Sequence, residues 1–241
     1  MQCKLTGETG KAAKAHIIPE SFYLIDQKDQ QPLKLVSSDV AVPPKKSPIG
    51  IYDKTIVTAS GEKYFLKWDD YAYKLLIENA DKMKKIIHAV KKVPIAYRID
   101  EYDYHKLKMF FISLLWRAGV SSRPEFQSVS LGPHADLLKE MILTNNSGGP
   151  DDYAVALAIF DDVSGWATIM SPFPERYDGV RCYRFFLGNI IAYIKVDKQS
   201  YKYPIVQSQL TPNQPLLLTK RNFWESKEHV VFKKMAERIT F

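Results

Sequence analysis

The chain has 241 residues, 46% of them hydrophobic, enough to bury a substantial core as one large domain or two small ones. Thirty-four Lys and Arg against 27 Asp and Glu leave a net charge of +7, which favours polyanions such as nucleic acid and equally fits a merely soluble basic protein. Two cysteines exclude a disulfide scaffold or an all-cysteine zinc site, and no stretch offers a secretory h-region or the roughly 18 apolar residues of a membrane span, so a cytoplasmic protein with no membrane partner is expected.

Taken in order, Ala15-His16-Ile17-Ile18-Pro19 reads as a short strand ending near its histidine. The stretch AVPPKKSPIG, with Pro43, Pro44 and Pro48 around Lys45 and Lys46, reads as a stiff extended connector. Ile51 to Thr58 reads as a second strand, Ala59-Ser60-Gly61 as a turn, and Glu62 to Ala80 as a helix with Phe65, Trp68, Ala72, Leu75 and Leu76 on one face. The helical spacing is expected to continue from Asp81 to Lys92, presenting five lysines around Met83, Ile86, Ile87 and Val90 until Pro94 interrupts it.

Asp103 is placed to cap a helix that is apolar nearly all round until Gly119 closes it and that therefore belongs in the core. His134 to Leu143 predicts another helix, ahead of the loop at 145–150. Then come four strand-like runs, YAVALAIF, GWATIMSPF, VRCYRFFLG and IIAYIKV, set apart by turns such as Asp161-Asp162 and Asp178-Gly179. They suggest an antiparallel meander, with Cys182 a buried strand residue, and the tail NFWESKEHVVFKKMAERI reads as helix. The fold class is α+β: a β-β-α unit in residues 1–80, then a helical and antiparallel-sheet region over residues 81–241, packed together as one unit.

A strand ending in His, a second strand with Asp or Asn, and a helix opening on a metal ligand form the ββα-metal arrangement of HNH nucleases. The chain resembles a bacterial HNH-like group that pairs HIIP with two C-x-x-C steps. Its counterparts here are Cys3-Lys4-Leu5-Thr6, His16-Ile17-Ile18-Pro19, the run from Asp53 to Glu62 and Asp69-Asp70-Tyr71-Ala72; Lys106 to Ser121 is similar too. The resemblance implies a phosphodiester hydrolase acting on DNA, in bacterial defence or on mobile elements. His16 would take a proton from water, Asp53 would orient that base, and Glu62 would bind a divalent cation, Mg²⁺ or Mn²⁺.

Two departures bear on that reading. Thr6, Thr58 and Gly61 stand where three of four zinc-binding cysteines would be, so structural zinc is not expected. Ala15 replaces the Asp or His that often binds catalytic metal. Each residue also has a plainer role: His16 as a strand-end histidine bonded to backbone, Glu62 as an acid complementing a helix N-terminus, Asp53 as a strand-edge acid. The acidic pairs at 69–70, 151–152 and 161–162 read as exposed helix and turn residues.

Lys11, Lys14, Lys45, Lys46, Lys82, Lys84 and Lys85, with Lys91 and Lys92, are the candidate phosphate contacts. A solvated helix face explains the run after position 81 equally well. Two functions stand open: an HNH-type endonuclease, or an inactive HNH-derived module that binds nucleic acid or a protein partner.

Overall fold

The computed structural model describes residues 1–23, 34–36, 45–46, 50–161, 168–230 and 233–234. The chain is a mixed α+β protein. Its elements are β1 (Ala15–His16), β2 (Lys34–Val36), β3 (Lys45–Lys46), β4 (Tyr52–Asp53), α1 (Ala59–Tyr73), β5 (Lys84–Ile87), β6 (Pro94–Ile99), α2 (Tyr104–Val120), α3 (His134–Leu143), β7 (Val155–Phe160), β8 (Thr168–Met170), β9 (Phe173–Tyr177), β10 (Val180–Leu187), β11 (Ile190–Lys195) and β12 (Leu216–Arg221).

A seven-stranded sheet in the order β5-β6-β12-β7-β11-β10-β9 dominates. It corrects the expected antiparallel meander, because β12 runs parallel to β7 and joins β6 to the rest. The run GWATIMSPF is also divided: β8 leaves to pair with β2 in a separate three-stranded sheet, and Phe173 begins β9. Strand β7 is apolar without alternation, and β10 and β11 are buried on both faces apart from Arg181, because both faces of the sheet are covered here. Val155, Leu157, Phe185 and Ile194 pack into the core shared with the helices, whereas Ala156, Phe160, Cys182 and Ile191 pack into a second cluster on the opposite face. The first core is continuous from Cys3 and Ile17 through α1 and α2 to Leu218.

Helix ends follow their caps. The Asp103 side chain accepts from the Lys106 N–H at 2.9 Å and starts α2, which is buried from Leu107 to Ala118. That helix runs through Gly119, where a Cβ would lie 2.1 Å from Leu131 Cδ1; the glycine admits Leu131 and does not end the helix. Helix α3 spans the residues the sequence predicts.

Three local expectations need correction. Only Tyr52 and Asp53 of the run 51–58 form a strand; Thr58 caps α1 by accepting from the Gly61 N–H, so residues 59–61 are helical turn. Helix α1 ends at Tyr73 and continues as a π-helical turn over Lys74–Glu78. Residues 81–92 are not helical beyond a short turn ending at Lys82: β5 and β6 form a hairpin instead. β-Branched Ile86, Ile87 and Val93 favour the extended state, and His88 Nδ1 accepts from the N–H groups of Val90 and Lys91, closing the turn. Of the predicted tail helix over 222–239, residues 227–230 and 233–234 are helical, 222–226 are coil, bend and turn, and the remainder lies outside the described residues, as does the proline connector apart from Lys45–Lys46 and Gly50.

Candidate functional site

Strands β1 and β4 pair antiparallel, with Ala15 opposite Asp53 and His16 opposite Tyr52. Opposed residues share a face and neighbours alternate, so His16 and Asp53 project from opposite faces of this ribbon. The His16 ring meets the Tyr52 ring edge-on at 6.0 Å, and the Lys14 ammonium lies 5.8 Å from the Tyr52 ring centre.

A pocket of about 410 Å³ opens between this ribbon and α1. It gathers His16, Glu20, Glu62, Asp69, Asp70 and Arg117. Glu62 arrives from the first turn of α1 and Asp69 from seven residues further, two helical turns along the same face. The His16 Nε2 lies 4.0 Å from Glu20 Oε2, with the imidazole side chain 20% exposed. The pocket therefore joins a titratable ring to carboxylates that reach solvent.

Arg117 closes the floor. It reaches in from the apolar helix α2, only 2% exposed, and donates to Asp69 from Nη1 at 2.9 Å and Nη2 at 2.7 Å. The same Nη1 donates to the His16 carbonyl at 3.1 Å. Asp69 is therefore no exposed helix acid, contrary to the reading of the 69–70 pair; Asp70, bonded to Lys74, is exposed. Burial pushes the Asp69 carboxyl up, against the pull of the Arg117 and His16 charges.

Asp53 stands apart from this pocket. Its Oδ1 accepts from the N–H and hydroxyl of Thr55, and its Oδ2 from Ser121 Oγ, Ser122 N and Ser122 Oγ, all within 3.0 Å. Burial would raise this carboxyl, but these hydrogen bonds outweigh it and hold it well below the usual carboxylate range. The role is a tie between β4 and the C-terminal end of α2, so the pocket does not unite His16, Asp53 and Glu62.

The four positions Cys3, Thr6, Thr58 and Gly61 do come together. The Thr6 N–H points at Cys3 Sγ at 3.5 Å, Thr58 Oγ1 accepts from Gly61 N at 3.4 Å, and a Cβ on Gly61 would sit 2.6 Å from Cys3 Sγ. Burial works to raise the Cys3 thiol, yet hydrogen bonds from Thr6 and Thr58 bring it down to about 7. Among the described residues, no three His, Cys, Asp or Glu side chains gather closely enough to hold a metal ion.

Of the candidate phosphate contacts, Lys11, Lys14, Lys82, Lys84 and Lys85 are exposed; Lys45 and Lys46 form β3, with side chains outside the described residues. Sequence reasoning passed over Glu20, Asp69 and Arg117. Two signals were available: the seven-residue step from Glu62 to Asp69, and a single arginine in the mostly apolar run from Met109 to Ala118, which demands a buried partner. Among the described residues, no helix is long and apolar enough to cross a membrane. Comparison with protein-family models, curated proteins and solved structures finds no match.

Proposed function

We propose that the chain is an HNH-like nuclease whose general base is His16. The observation that carries this reading is the convergence of His16, from β1, and Glu62, from the first turn of α1, on one solvent-open pocket between the β1–β4 ribbon and α1. The clustering of Cys3, Thr6, Thr58 and Gly61 adds support, since a shared ancestor with a four-ligand knuckle would leave those positions adjacent after the ligands were lost. His16 would accept a proton from the attacking water, and Arg117, bonded to the His16 carbonyl, would act as a positioning residue for its strand.

The family's chemistry uses a divalent cation. The residues described here do not present a three-ligand set for one, so no step is assigned to a metal.

A second reading has its own support: an inactive HNH-derived module that binds nucleic acid or a protein partner. Both Asp53 oxygens are engaged by Thr55, Ser121 and Ser122, so the carboxylate that would orient the base serves as a structural tie.

The test incubates the protein with plasmid DNA, single-stranded DNA and RNA in Mg²⁺, Mn²⁺ or EDTA, beside His16→Ala. Nicking that falls roughly 10²–10⁴-fold in the variant, the range for loss of a general base, supports the nuclease. Equal cleavage by both proteins removes His16 from that role, and salt-sensitive binding without cleavage selects the inactive module.

A further inference from the structure

We infer that the β5–β6 hairpin is a nucleic-acid arm that enters a groove of duplex DNA. The inference deepens the nucleic-acid reading above and rests on it, but not on cleavage. Residues 82–98 hold six basic side chains, Lys82, Lys84, Lys85, Lys91, Lys92 and Arg98, and no acidic one, in a chain whose whole net charge is +7. All six side chains are exposed, on the hairpin and the turn that leads into it, and with the flanking Asp81 and Asp100 the segment 81–100 still carries a net +4.

Only part of that charge is answered internally. Asp100 pairs with Lys84 at 2.5 Å and with Arg98 at 2.6 Å at the hairpin's root. Among the described residues, Lys85, Lys91 and Lys92 have no ion pair. The ribbon also carries apolar side chains out into solvent: Val90 is 83% exposed, and Ile87, Val93 and Ile95 are each more than 40% exposed. Among the described residues, β5 is the outermost strand of the seven-stranded sheet and its outer edge has no paired strand.

Because β12 pairs with β6 only at Ala96–Ile99, the hairpin projects past the sheet as a two-stranded tip over residues 87–95, and a ribbon of that kind fits the major groove of B-DNA, about 12 Å wide. Lysines along its sides would meet phosphates, and apolar groups near the turn would contact base edges or thymine methyls. Position agrees with this use. Helix α1 lines the His16 pocket with Asp69 and Tyr73, then continues to Leu75 and Asn79, which line a second cavity at the hairpin root with Lys82, Lys84 and Arg98. Helix α1 and the π-helical turn after it connect the two sites, so one duplex laid along them would engage the arm while a phosphate nears His16.

The test measures binding of a fluorescent duplex of about 20 base pairs across a salt series, for the wild type, the triple variant Lys85→Gln/Lys91→Gln/Lys92→Gln, and Val90→Asp. Loss of three phosphate contacts should lower the slope of log K against log salt by about 2.7 and weaken binding on the order of 100-fold at about 100 mM salt. Val90→Asp, at an exposed turn, should weaken binding while leaving the melting temperature unchanged. If the triple variant melts early, Val90→Asp decides alone.

Unchanged affinity and slope overturn the arm, as does wild-type binding to anionic lipid vesicles without binding to DNA. A variant that aggregates but binds DNA normally would make the lysines a guard on the open edge and also overturn it. Hairpin-dependent binding with no cleavage would sink the nuclease and leave the arm standing. Cleavage that needs His16 but not the hairpin would do the reverse.

Discussion

Arg117 of α2 grips Asp69 of α1 through two parallel N–H···O bonds of 2.9 and 2.7 Å, with the guanidinium only 2% exposed. The guanidinium also lies 4.8 Å from the Phe65 ring centre and donates to the His16 carbonyl, so one side chain joins α1, α2 and β1. Removing either partner strands a buried charge, at a cost of roughly 3–5 kcal/mol. We expect Arg117→Leu and Asp69→Leu each to lower stability by that order in urea titrations, and the double variant to recover much of the loss. Additive losses would mean the pair is not coupled.

The Asp53 carboxylate stabilises β4 against α2 through five hydrogen bonds. Its pKa is held below the unfolded value of about 3.9. The stability it contributes is therefore complete above that value and is lost as pH falls through the depressed folded pKa. Wild type should exceed Asp53→Asn by a constant margin from about pH 5 to 7, and the margin should shrink below about pH 4. Chemical denaturation across that range reads it; a margin that grows on acidification would contradict the assignment.

Lys108 is buried at 0% exposure on α2, and its Nζ has no hydrogen-bond partner among the described residues. Burial brings the ammonium down to about 7, although Asp152 pulls the other way. The unfolded chain holds its proton up to about pH 10.4, so stability should rise as pH increases from about 7 to 10. Lys108→Met, close in volume, should gain roughly 3 kcal/mol at neutral pH and flatten that rise. A destabilised methionine variant would show that the amine has a partner worth keeping.

The adjacency of Cys3, Thr6, Thr58 and Gly61 makes a strong claim about local geometry. The triple variant Thr6→Cys/Thr58→Cys/Gly61→Cys should bind one Co²⁺ or Zn²⁺ tetrahedrally, with metal–sulfur distances of about 2.3 Å. The Cys3 sulfur must shift to admit the new Cβ at position 61. Without metal, loss of the Thr58 cap should cost about 1 kcal/mol. Tetrahedral cobalt absorption is the readout; no absorption at stoichiometric metal would mean that the four positions cannot converge on one ion.

Local rules were legible wherever one residue acts on its own backbone. Asp103 marked the start of α2, and the compact periodic run from His134 marked α3, because caps and short-range periodicity depend on neighbours within four residues. The runs that became β7, β10 and β11 announced themselves by β-branched and aromatic content. Residues 81–92 misled because Ile86, Ile87, Val90 and the lysines satisfy helical and extended spacing alike; pairing β5 with β6, and β6 with β12, draws the segment into the sheet.

The sequence by itself determined the α+β class, the capped helices, the basic balance and the presence of a histidine beside a short strand. Only the tertiary structure decided which side chains meet His16. A strand alternates its faces every residue, so the register that set Ala15 against Asp53 turned Asp53 from His16 toward Ser121 and Ser122. Arg117, 101 positions away in the chain, came to the pocket through helix packing. Contacts at that separation depend on how whole faces bury together, and no local spacing in the chain encodes them.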